Sequence, residues 1–88
     1  MTELAQKILT WTESDIAKGG GLGRRLSKIF LYMGLDDEDD NDILEFHKAI
    51  EELVNRKFAF IEEFKEFGFV YLIPIRGMIK GKGGKKPC

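Results

Sequence analysis

Four glycines stand with two arginines in AKGGGLGRRL, residues 17–26, and these types together can hold an anion. Glycine lets a phosphate approach backbone N–H groups, and arginine offers a fork of donors to it. The spacing excludes the two common nucleotide loops. A phosphate loop of the GxxxxGK(S/T) kind follows a strand and ends in lysine and a hydroxyl residue, whereas GGGLGRRL follows a helical pattern and has neither. GxGxxG fails as well, because Gly19, Gly21 and Gly23 recur every second residue and position 24 is arginine. Two readings remain. One is a connection between helices with glycines at positive φ; the other is a helix start where Arg24 and Arg25 take a backbone phosphate.

The other cations with a place in such a surface are Lys28, Arg56, Lys57, Arg76 and Lys80. Arg25, Lys28 and Tyr32 share one helical side, which is either a nucleic-acid contact or the solvated back of a core helix. Asn55-Arg56-Lys57 ends a helix, where cations also stabilise the dipole without any partner. Catalysis finds no constellation. Cys88 sits in a glycine-lysine tail, Ser14 and Ser27 have no evident base, and His47 has no second histidine or cysteine at ligand spacing. The acidic run DDEDDND, residues 36–42, lacks the glycine and glutamate spacing of a calcium loop. No enzyme activity, cofactor, metal or small-molecule substrate is expected.

Apolar spacing gives the elements that must carry these side chains. Leu4, Ile8 and Trp11 recur at helical intervals with Ala5 and Leu9 beside them, and Thr2 is a suitable N-cap. A further turn through ESDIAK is possible before the glycines. A second helix is predicted from about Gly23, with Leu26, Ile29, Phe30 and Met33 inward and Gly34 as its stop. Asp42 with Glu45 three residues on resembles a capping box, and Ile43, Phe46, Ile50, Leu53 and Val54 line one face of a third helix to Asn55. The period then changes from 3.6 to 2. FAFIE and FVYLIPI read as a hairpin across EFKEFG, with Pro74 near an edge or a strand end.

Eighty-eight residues make one domain, with a hydrophobic share of 43% that suits an ordinary globular chain. The domain is expected over residues 1–76, followed by a flexible basic Gly/Lys tail over 77–88. One cysteine excludes an internal disulfide and suits a reducing, cytoplasmic setting; no signal peptide or membrane span is expected. The net charge of −1 hides an asymmetry, since no acid follows Arg76 and the acids concentrate before it.

Helices followed directly by paired strands in DILEFHKAIEELVNRKFAFIEEFKEFGFVYLIPIR make the chain resemble the winged helix-turn-helix superfamily over about residues 2–76. The resemblance implies an α+β fold, three helices and then a β-hairpin wing, and a small DNA-binding regulator of transcription. In that superfamily the helix before the wing often enters the major groove while the wing touches the backbone. Here that helix carries Asp42, Glu45, Glu51 and Glu52 against Lys48, and carboxylates repel phosphates. The expectation is therefore duplex DNA held mainly through backbone contacts by Arg24, Arg25, Lys28, Arg56, Lys57, Arg76 and Lys80. The alternative is a protein-interaction module that uses the acidic third helix or the apolar hairpin. Both faces of that hairpin are apolar, which places Phe64, Phe67, Val70 and Leu72 at a homodimer or partner interface.

Overall fold

The computed structural model describes residues 1–75. Arg76, Lys80, the boundary at residue 76 and the basic tail over 77–88 lie outside the described residues. Thr2 opens α1 (Glu3–Gly19) as its spacing predicts, its hydroxyl accepting from the Ala5 N–H at 3.2 Å. The possible extra turn is realised, and the helix runs to the glycines. There Gly20 adopts φ +84 with ψ −178, a conformation essentially confined to glycine, and donates to the Ile16 carbonyl.

The next segment departs from the expected helix start. Arg24–Arg25 form a short strand, β1, and α2 (Leu26–Tyr32) begins only after it. Gly34 at φ +74 closes α2, as its position predicts. In the acidic run the cap also differs. Asp39, not Asp42, caps α3 (Asp40–Asn55) by accepting from the Asn41 N–H. Asp42 accepts from the Asp36 N–H at 2.9 Å, and Asp36 accepts from Glu38. Aspartates bonded to nearby N–H groups thus turn this loop upon itself. At the far end of α3, Lys57 takes φ 64 while Phe58 and Lys57 donate to the carbonyls of Leu53 and Val54. That is a Schellman ending with lysine where glycine is usual.

β2 (Ala59–Phe64) and β3 (Phe69–Pro74) form the expected hairpin. Pro74 ends its strand, where the missing N–H costs nothing to the ladder. The sheet is antiparallel with order β1-β3-β2, so β3 is its centre and the other two are its edges. Among the described residues the architecture is thus α+β, with three helices and a three-stranded antiparallel sheet.

Alternation along β3 decides which residues face inward. Leu72 and its cross-strand partners Arg24 and Ile61 share the face turned to the helices. There Leu72 joins Ala5, Ile8 and Leu9 of α1, Ile29 of α2, and Phe46, Ile50 and Leu53 of α3 in one core. Each fully buried isoleucine or leucine contributes about 1.5–3 kcal/mol relative to exposure. Phe30 meets Phe46 edge to face at 5.0 Å. Thr12 is also fully buried, and its hydroxyl finds no hydrogen-bond partner.

Candidate functional site

The opposite face of the sheet carries Phe69, Tyr71 and Ile73 of β3, with Phe60, Glu62 and Phe64 across from them on β2 and Arg25 across from Tyr71 on β1. This is an aromatic surface with a cation at its border. Phe64 meets Tyr71 edge to face at 5.1 Å, and the Arg25 guanidinium lies 4.5 Å from the Phe69 ring centre. Beside it, residues 19–23 and the first turn of α2 rise to form a second wall.

Between these walls lies a cleft of about 570 Å3. The glycine loop, Arg24, Arg25, Lys28, Phe64, Tyr71 and Ile73 line it. Among the described residues, every charged side chain in that lining is a cation. Lys28 also stands 5.9 Å from the ring of Tyr32, which itself stacks on Trp11 at 4.8 Å. Tyr32 is exposed, so the Arg25–Lys28–Tyr32 stripe continues from the cleft over the surface of α2.

The two arginines have different tasks. Arg24 is directed inward, onto α1 and the loop. Its Nε donates to Asp15 Oδ2 at 2.7 Å, one Nη to the Gly23 carbonyl, and the other to the carbonyls of Asp15 and Gly20. Four of its five donors are thereby used. The sequence expectation gives Arg24 a phosphate to grip; in the structure it ties the glycine loop to α1, because the Asp15 carboxylate and the carbonyls of Asp15, Gly20 and Gly23 converge on it. The Arg24 hydrogen bond holds the Asp15 carboxyl below its ordinary 3.8, against an opposing effect of burial and with help from the charges of Arg24, Lys28 and Lys18. Arg25, on the other face of the same strand, is exposed.

Gly23 makes this arrangement possible. It is buried beneath β3, and a Cβ there would stand 2.6 Å from the Leu72 carbonyl oxygen and 2.7 Å from Ile73 Cγ1. Only glycine lets the loop come so close to the central strand.

The remaining expected residues are dispersed. Arg56 pairs with Glu52 at 3.4 Å one turn back on α3, and neither it nor Lys57 lines the cleft. Glu52 also accepts from the Thr2 N–H, which keeps its carboxyl below 4.5 despite burial. Phe64 lines the cleft, and Phe67 in the hairpin turn is 68% exposed. Val70 is half-buried on the inner face. Leu72 requires a correction: it was expected at an interface, but helices cover it completely, so it is a core residue with no surface to offer.

Sequence reasoning missed Tyr71 and Ile73 as cleft residues. Their partner is a strand of two arginines, too short for any alternation to show. Among the described residues, no group of three or more His, Cys, Asp or Glu is arranged to hold a metal, and no helix is long and apolar enough to cross a membrane. Comparison with protein-family models, curated proteins and solved structures finds no match.

Proposed function

We propose that this chain is a nucleic-acid-binding domain of the winged-helix type, acting through the wing side of the molecule. The observation that carries this reading is the cleft in which, among the described residues, every lining charge is positive and aromatic rings form the facing wall. The element order supports it, since a short strand between the first two helices completes a three-stranded sheet with the hairpin. The outward side of α3 has the wrong sign for phosphates, so the proposal moves the contact from α3 to Arg25, Lys28 and the sheet. Arg56 and Lys57, at the far end of α3, serve the helix ending first.

Fluorescence anisotropy against a salt series tests the proposal. Binding to duplex or single-stranded DNA should weaken steeply with salt. Arg25→Ala with Lys28→Ala should flatten the slope of log K against log salt by about 1.4–1.8, the share of two phosphate contacts. No binding at low salt, or an unchanged slope in the double variant, would overturn it.

A second reading rests on the hairpin tip, where Phe64 and Phe67 are 42% and 68% exposed beside the edge strand β2. On that reading the tip meets another protein chain. Sedimentation at micromolar concentration would then show a dimer that Phe67→Ser dissolves; a monomer would count against self-association.

A further inference from the structure

We infer that the cleft takes nucleotides of a single strand, with a base stacked on the exposed ring of Phe64 and flanked by the perpendicular ring of Tyr71, and the adjoining phosphates on Arg25 and Lys28. The inference rests on the proposed nucleic-acid reading and deepens it by naming the form of nucleic acid. Three observations carry it. The rings of Phe64 and Tyr71 line the cleft opposite the glycine loop and Lys28 of α2. Bases in a duplex are stacked on one another and cannot present a face to a protein ring; an unpaired base can.

The second observation is the cleft volume of about 570 Å3, which is room for a base and its adjoining backbone. The third is the distribution of charge across the aromatic surface. Arg25 and Lys28 border it on the α2 side, while Glu62 stands across from Tyr71 on β2. Phosphates therefore follow the α2 wall and are turned away from β2, which fixes the side on which the strand backbone runs. Stacking on a ring accepts any base, so the site discriminates weakly between sequences.

The test compares four ligands by anisotropy or competition at one salt concentration. They are a labelled oligothymidine of about twelve nucleotides, an abasic strand with the same number of phosphates, the matching duplex, and thymidine monophosphate. The oligothymidine should bind about 5- to 150-fold more tightly than the abasic strand, the effect of one stacked base. Phe64→Ala or Tyr71→Leu should remove most of that preference, while Tyr71→Phe, which keeps the ring, should retain it. The exposed position of Phe64 makes its variant informative even if Tyr71→Leu fails to fold.

Equal affinity for the abasic strand, or a preference undisturbed by Phe64→Ala, would overturn the inference and leave the cationic reading standing. Tighter binding to the duplex would do the same. Thymidine monophosphate competing as well as the strand would replace the single strand by a free nucleotide and overturn it too. Absence of binding to all four at low salt would bring down the proposed function itself.

Discussion

Replacing Gly23 by alanine tests whether the glycine loop is fixed to the sheet. The new methyl would meet the Leu72 carbonyl oxygen at 2.6 Å, Ile73 Cγ1 at 2.7 Å and the Leu72 carbonyl carbon at 3.3 Å. Two of these atoms belong to the backbone of the central strand and cannot rotate away. Overpacking of this kind costs about 1–3 kcal/mol. Alanine also restricts the unfolded chain, a gain of about 0.4–1 kcal/mol. The clash wins, and a net loss of about 1–2 kcal/mol is expected.

For a domain of this size that loss lowers Tm by roughly 4–16 °C. Thermal and urea unfolding followed by circular dichroism would read it. Gly19→Ala is the control, since its methyl would approach only the Arg24 guanidinium, at 3.3 Å, and lies within α1, where alanine is favoured. Relief of the clash would part β1 from β3, so Gly23→Ala should also weaken nucleic-acid binding as Arg25 leaves the cleft wall. A Gly23→Ala protein as stable as the parent would refute the close approach and the cleft geometry built on it.

Thr12→Val exchanges a buried hydroxyl without a partner for a methyl of nearly the same shape. It should raise stability by about 1 kcal/mol in urea unfolding, since an unsatisfied buried hydroxyl costs about 1–3 kcal/mol; a loss would mean that the hydroxyl is bonded. Asp15 and Glu52 are both held below their ordinary values of 3.8 and 4.5, so the folded state releases their protons more readily than the unfolded chain. Their stabilisation is present above those values and is lost as pH falls below them. Asp15→Asn with Glu52→Gln should therefore flatten the acid side of a stability–pH curve, and a variant as acid-sensitive as the parent would contradict the pairing.

The third helix and the hairpin were legible in the sequence because each carries a long apolar pattern of its own. Phe46, Ile50 and Leu53 repeat at helical intervals, and the residues from Phe58 on switch to a period of two. The cap of α3 was not legible, since a run of neighbouring acids offers several equivalent caps and only the turn around Asp36 selects Asp39. Nor was the inward face of β3. Both of its faces are apolar, so alternation alone could not choose between Leu72 and Tyr71. That choice is made by α1 and α2, which pack on β3 over Leu72.

The same limit explains the site. Arg24 and Arg25 are adjacent, identical in type and indistinguishable by spacing. Only their position in a strand sends one toward Asp15 and the other toward Phe69. The strand exists only by pairing with β3, an effect of tertiary context on two residues with no strand signal of their own.

The central place of β3 has a consequence during synthesis. Both edge strands hydrogen-bond to β3, and the ribosome makes β3 after either of them. At roughly 5–20 residues per second, β1 waits about 2–10 s for its partner. Over that interval the residues of α2 and α3 are added to the chain, but the place of Leu72 among the helices is vacant. No part of the sheet can form early, and a chain truncated in the hairpin turn leaves the side of the helices meant for β3 uncovered. Arrival of β3 pairs both edges, seats Leu72 and sets Arg25 beside Tyr71, so the cleft and the core are completed in the same event.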